Sequence, residues 1–214
     1  MPINKMLDVS PRLDDDEDEE EGGCNSKGGK DAKSNDFMAR MLKARTILIA
    51  KPVDKELMEK VTTLLLLMSN EDSRKPITVY VNSPGGDADS GFAIYDMMRF
   101  VKAPVRTICA GLCASAGIII FLGGEKGQRF TLPNSRFLIH QPSTYAQGQA
   151  SDLEITAKQI LKIRDRYNQI VANETGITKD KVQSDANRDF WLDAQEAKAY
   201  KLVDKIIAEQ GEID

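Results

Sequence analysis

Histidine is nearly absent: the 214-residue chain has one, His140. Chemistry that needs an imidazole base must use it, and a histidine-rich metal site is excluded. Cysteine is scarce as well. Cys24, Cys109 and Cys113 are an odd number for a chain of this size, which argues against a disulfide framework. No second cluster accompanies Cys109 and Cys113 to make a metal site, so both read as small buried hydrophobes in a reducing compartment. No apolar run approaches the ~20 residues of a membrane-spanning helix. The start, Met1-Pro2-Ile3-Asn4-Lys5, has neither an apolar stretch nor a small-residue cleavage site, and acidic residues follow it, the opposite of a transit peptide. A cytoplasmic location is expected. Basic patterning is missing too. The formal net charge is −4, and the acidic run 14–21 supplies eight negatives, so the rest carries +4 with no basic stripe for nucleic acid.

What is present is a 41% hydrophobic chain, long enough for one domain with a true core. Residues 1–35 hold the acidic run and Gly22-Gly23 and Gly28-Gly29, with few groups to bury, so a disordered segment is expected there. A single domain is expected over 36–214. A short amphipathic helix is predicted around 37–42 and a strand over 46–50. A helix over 54–69 follows, with Leu57, Val61, Leu64 and Met68 at helical spacing and Leu65 to Leu67 widening the stripe. A strand over 76–82 runs into Ser83-Pro84-Gly85-Gly86, then a helix over 90–101 and a strand from Val105 to Cys109. Strand and helix alternating at short spacing predict βαβ units and a parallel sheet.

The stretch Gly111-Leu112-Cys113-Ala114-Ser115-Ala116-Gly117 reads as a small-residue turn that places one hydroxyl at the start of the apolar helix Ile118-Ile119-Ile120-Phe121-Leu122. Backbone N–H groups are free there and the helix dipole favours negative charge, which suits a nucleophile whose target becomes an oxyanion. A serine so placed is also an ordinary cap, and the sequence is not the G-x-S-x-G elbow. Short strands are predicted over 129–132 and 136–139, the second ending at His140-Gln141-Pro142. A polar loop or edge strand over 143–150 precedes the longest helix, which Ser151-Asp152-Leu153-Glu154 would open as a capping box and Gly176 would end. Helices near 178–184 and after Asp193 close an order of α/β first and helices last.

Two further features join Ser115. Gly85-Gly86 after a strand permit positive φ and let a backbone N–H face a ligand, although an ordinary tight turn needs the same residues. His140 sits at a strand end, where a merely packed imidazole is also common. A Ser–His pair needs a carboxylate to orient the imidazole. Spacing does not select it among the acidic residues; Asp189 is attractive because Phe190-Trp191-Leu192 would bury its surroundings.

From about Ile77 to Asp204 the chain resembles the proteolytic subunit of the ATP-dependent Clp protease. The matching stretches are Val81-Asn82-Ser83-Pro84-Gly85-Gly86, 111–117, 132–142 (Leu-Pro-Asn-Ser-Arg-Phe-Leu-Ile-His-Gln-Pro), Asn187-Arg188-Asp189, Glu196-Ala197 and Leu202-Val203-Asp204. The resemblance implies an α/β spiral of βαβ units, of the type shared with crotonases, with a protruding helix-and-strand handle over about 141–174. It implies Ser115 as nucleophile, His140 as general base, Asp189 as its orienter, and the backbone N–H groups of Gly86 and Ala116 as the oxyanion hole. It implies no metal or cofactor in this chain, ATP being used by a hexameric AAA+ unfoldase partner. Two stacked heptamers, homomeric or mixed with a paralogue, would degrade unfolded proteins, with no nucleic-acid or membrane partner. Arg188 would contact the opposite ring, and Tyr80, Phe100, Phe130 and Ile207 would line the unfoldase-docking pocket.

The chain departs from the family pattern at Ala116, where Met is usual, at Asn187, usually acidic, and at Lys201, usually Gly; residues 1–35 do not match the axial hairpin. These departures motivate a second reading, a regulatory or poorly active paralogue of a mixed ring. A third is a crotonase-type acyl-CoA enzyme, which also holds oxyanions on backbone N–H groups.

Overall fold

The computed structural model describes residues 39–213, which fall in one compact unit. The expected disordered segment 1–35 lies outside the described residues. A helical turn at 39–43 leads into strand β1 (Thr46–Ile49) and helix α1 (Lys55–Glu71). Asp54 caps α1 by accepting from the Leu57 N–H. The buried stripe is Leu57, Val61, Leu65 and Met68; Leu66 and Leu67 do not widen it but face outward. Each of those buried side chains contributes about 1.5–3 kcal/mol by leaving water. The helix ends under Arg45, whose guanidinium donates to the carbonyls of Met68 in its last turn and of Asp72 and Lys75 just past it.

Strand β2 (Ile77–Ser83) and helix α2 (Ala88–Phe100) follow. The helix starts two residues before the expected Ser90 because Asp87 caps it, accepting from the Ser90 N–H. Strand β3 (Val105–Ala114) is twice the expected length. Residues 111–114 are not a turn, since Leu112, Cys113 and Ala114 pair with Arg136, Phe137 and Leu138 of the strand just before His140, and Cys113 also pairs with Ser83. The strand bends at Gly111, φ 123°, beside a register shift against β2. Asn82 Oδ1 fills the gap by accepting from the Leu112 N–H, and a Cβ on Gly111 would meet that oxygen at 2.8 Å.

Next come helix α3 (Ala116–Leu122), strands β4 (Arg129–Thr131) and β5 (Arg136–Ile139), and helix α4 (Ala150–Thr175). The segment 141–149 has no regular structure, so a loop and not a strand accompanies the handle helix. The predicted capping box is not formed. Gln149 is the N-cap with no side-chain bond, and Ser151 lies inside the first turn. The helix starts at Ala150, one residue before the expected cap. Helix α5 (Lys179–Asp185), strand β6 (Phe190–Asp193), helix α6 (Ala194–Ala199) and strand β7 (Lys205–Ile206) complete the chain. Asp193 and Glu196 form a capping box at the start of α6. β6 and β7 return to the sheet, so the chain does not end in helices alone.

The seven strands make one mixed sheet in an α/β fold. β1, β2, β3, β4 and β7 are parallel neighbours in that order. The long β3 forks. Its first half pairs with β4, while Leu112–Ala114 pair with β5, which pairs antiparallel with β6. A parallel sheet buries both faces under its crossovers. α1, α2 and α3 cover the main core, and α3 is buried along its whole length. The opposite face holds a small cluster of Ile108, Phe130 and Ile207 flanked by Tyr80. Cys109 and Cys113 are buried free thiols, as expected. Among the described residues no helix is long and apolar enough to cross a membrane.

Candidate active site

Three neighbouring strand ends bring the expected residues together. Ala114 is the last residue of β3 and pairs with Leu138 of β5, so Ser115 leaves its strand beside the end of β5, where His140 follows Ile139. Ile139 pairs with Phe190, the first residue of antiparallel β6, so Asp189 faces His140 in the next register position. Asp189 Oδ1 lies 3.7 Å from His140 Nδ1. Gln141 locks the crossing, its N–H donating to the Ala186 carbonyl and its side-chain amide to the Asn187 carbonyl.

Ser115 occupies the N-cap of α3 but caps nothing: its side chain makes no capping bond. Its φ of 55° and ψ of −121° are a strained pair for a residue with a Cβ. The strand turns into the helix on this one residue, so the backbone has the form of a nucleophile elbow although the sequence lacks its glycine signature. The small-residue run serves that turn. A Cβ on Gly85 would lie 2.6 Å from Ser115 Cβ, and one on Gly86, φ 150°, 2.2 Å from the Val53 carbonyl oxygen. Val53 bridges the loop by donating to the Gly85 carbonyl and accepting from the Asp87 N–H, which leaves the Gly86 N–H outside the pairing. The Ala116 N–H is at the first turn of α3 and has no carbonyl behind it.

Gly86, Ser115, Ala116 and His140 line one cleft of about 430 Å³. Its apolar wall is Phe92, Ala116, Ile119, Ile160, Ile163 and Tyr167. A pocket of this lining excludes water from an apolar side chain and sets it beside the hydroxyl. Tyr167 is a site residue that nothing in the sequence singles out. Its hydroxyl donates to the Ser115 carbonyl at 3.4 Å, and burial pushes its pKa well above the usual phenol range.

Asp189 departs from expectation. Its side chain is 66% exposed. β6 pairs on one side only, and Trp191 lies flat under the Arg136 guanidinium rather than over Asp189. Arg188 and Asn187 are exposed beside it. Of the four expected docking residues, Tyr80, Phe130 and Ile207 share the small cluster, whereas Phe100 ends α2 outside it, 77% exposed. Among the described residues no group of acidic, His or Cys side chains is placed to hold a metal.

A lone imidazole set between a strained serine elbow and a carboxylate at the edge of an α/β sheet defines a serine-hydrolase type of site. Comparison with known proteins narrows the class. The Clp protease family model matches residues 28–210. A subunit named ATP-dependent Clp protease proteolytic subunit 2 from Treponema denticola is 48% identical over 187 residues, 86% of this chain and 94% of that one. Its namesake from Treponema pallidum is 45% identical over 177 residues, 83% of this chain and 89% of that one. A solved point mutant of ClpP1 from Listeria monocytogenes superposes with a TM-score of 0.77 at 39% identity, covering 83% of this chain and 99% of that one. The chain belongs to the Clp protease family, and it is a serine peptidase.

Proposed function

We propose that the chain is the proteolytic subunit of an ATP-dependent Clp protease, cutting unfolded proteins to short peptides in the cytoplasm. Ser115 Oγ attacks the peptide carbonyl while His140 takes its proton. The carbonyl oxygen becomes an oxyanion held by the N–H groups of Gly86 and Ala116. His140 then gives the proton to the leaving amine, and the acyl group stays on Ser115. Water, deprotonated by His140, releases it. Asp189 holds the imidazole's other N–H and stabilises the imidazolium. No metal or organic cofactor enters these steps; ATP is spent by a separate hexameric unfoldase.

One observation carries this reading: Ser115, His140 and Asp189 stand at adjacent ends of β3, β5 and β6. Two stacked heptamers would enclose the sites. The first half of α4 supports this, because Leu153, Ile155 and Leu161 are exposed on it among the described residues. Tyr80, Phe130 and Ile207 are proposed to receive the unfoldase, with Phe100 at the margin, and Arg188 to reach the opposite ring. The test is Ser115→Ala in the assembled protein. Peptide cleavage and labelling by a fluorophosphonate should both vanish, and undiminished labelling would remove Ser115 from the mechanism.

A second reading is a poorly active member of a mixed ring. The 3.7 Å separation and the exposure of Asp189 favour it, since the imidazole is not fully held in a single chain. Light scattering of the purified chain, with and without a paralogue, separates the two. A lone, fully active tetradecamer rules out the second.

A further inference from the structure

The handle helix places a hydroxyl against the nucleophile's own peptide group. Tyr167, 6% exposed on α4, donates to the Ser115 carbonyl at 3.4 Å. That carbonyl and the Ala116 N–H are two ends of one peptide unit. The unit is planar and trans, so the two groups point in opposite directions and cannot turn independently. Whatever holds the Ser115 oxygen aims the Ala116 hydrogen.

We propose that Tyr167 is a positioning residue for peptide hydrolysis, fixing the Ser115–Ala116 peptide from behind so that its N–H meets the oxyanion. The inference rests on the reading of Ala116 as an oxyanion donor.

The position needs such a support. Ser115 has strained φ and ψ, so its peptide plane is held by surrounding contacts rather than by backbone preference. Its carbonyl faces the first turn of α3 and accepts from the Ile118 N–H at 3.0 Å, and Tyr167 adds a side-chain donor to the same oxygen. Hydrogen bonds in series polarise one another, so a donor on the carbonyl makes the N–H of the same unit a stronger donor. Burial pushes the phenol's pKa upward, which keeps it a donor at every working pH. Phe92, Ala116, Ile119, Ile160 and Ile163, which share the cleft wall with the ring, carry no side-chain acceptor. The ring itself belongs to that wall, so its hydroxyl and its bulk have separable effects.

The test uses the assembled full chain with a fluorogenic peptide. Tyr167→Phe keeps the ring and removes only the hydroxyl. We expect kcat to fall about three- to tenfold, the scale of one neutral hydrogen bond felt in the transition state. KM should stay within about twofold, because the bond acts on the oxyanion and not on the bound peptide. A peptide boronate, which forms a tetrahedral adduct on Ser115, should lose affinity by the factor that kcat/KM loses. The pH–rate profile should keep its shape. Replacing Tyr167 with 3-fluorotyrosine, a stronger donor of nearly the same size, should hold or raise kcat. An unchanged kcat in Tyr167→Phe, or a rise in KM alone, overturns the proposal and leaves Tyr167 as a pocket wall. Where Tyr167→Phe fails to assemble, the fluorotyrosine protein decides, and a fall in its kcat overturns the proposal. Ser115→Ala runs alongside: activity surviving there sinks the peptidase assignment of the site, whereas a dead Ser115→Ala beside a fully active Tyr167→Phe sinks only this inference.

Discussion

The Ser115 N–H donates to the Leu138 carbonyl at 2.9 Å. That bond ties the hydroxyl-bearing residue to β5 two positions before His140, so hydroxyl and imidazole are set by one strand register. A slip of one residue would turn every side chain of β5 to the other face. The sheet therefore fixes the pair, and the cost appears as strain at Ser115. A residue at φ 55° and ψ −121° without a Cβ would escape it. Ser115→Gly should be about 1 kcal/mol more stable than Ser115→Ala, the strain relieved less the chain entropy glycine adds. Urea unfolding of the two inactive variants measures this, and equal stability would show that the elbow stores no strain.

Asp189→Asn tests the third strand end. Asparagine keeps the size and an acceptor but removes the charge that stabilises the imidazolium. kcat should drop about a thousandfold or more while KM holds. A loss under about tenfold would show that the exposed carboxylate does not orient His140 in the working assembly. Thermal stability should hardly change, because Asp189 is a surface side chain in the isolated chain.

Much of this arrangement was legible in the sequence. The 136–139 strand and the Gly176 helix stop emerged because apolar patterning and capping residues are local signals. The αβ order followed from alternation of the two periods. What stayed hidden was non-local. The extension of β3 through 114 depends on β5 arriving alongside, and nothing in Gly111 to Ala114 announces that partner. The burial expected around Asp189 failed for the same reason: Phe190 and Trp191 are apolar, but β6 lies at an edge and Arg136 takes the indole face. Ser151 looked like a cap because its spacing to Glu154 is right, yet Gln149 precedes the helix. Tyr167 lies within the longest helix, and only the position of Ser115 gives its hydroxyl a target.

The proposed stacking of rings predicts an effect confined to assembly. Ile155 is 57% exposed in the first half of α4, so Ile155→Asp uncovers little buried area among the described residues. Folding stability of the isolated chain should change by no more than about 0.5 kcal/mol. A charge on a surface buried between rings costs far more, since it would be desolvated without a partner. Sedimentation should show the double ring falling to single rings. A double ring that persists with the charge in place would move the ring contact off this face.

The C-terminal end of α4 makes the opposite kind of contact. Glu174 pairs with Arg129, and the two side chains are 8% and 2% exposed. The Tyr95 hydroxyl donates to the other Glu174 oxygen at 2.8 Å, while Arg129 also donates to the Gly124 and Leu122 carbonyls at the end of α3. Burial pushes the Glu174 carboxyl up, but the bonds from Arg129 and Tyr95 outweigh it and hold the pKa below the ordinary 4.5. A carboxylate with a lowered folded pKa stabilises the fold above its unfolded value, and that contribution is lost as pH falls through the folded one. Tyr95 works on the other side. Burial and the adjacent Glu174 push it up to about 12 from 10, so it favours the fold below pH 10 and its share is lost as pH rises from 10 to 12. Urea midpoints should therefore form a plateau that falls below about pH 4.5 and above about pH 10. Glu174→Gln should lower the plateau by about 3 kcal/mol, because Arg129 is left buried without its counter-charge, and should flatten the acid limb. Tyr95→Phe should reduce the alkaline limb and, by removing one of the bonds that hold the Glu174 carboxyl down, should weaken the acid limb as well, though less than Glu174→Gln does. An acid limb unchanged in Glu174→Gln would place the acid-sensitive groups elsewhere in the chain.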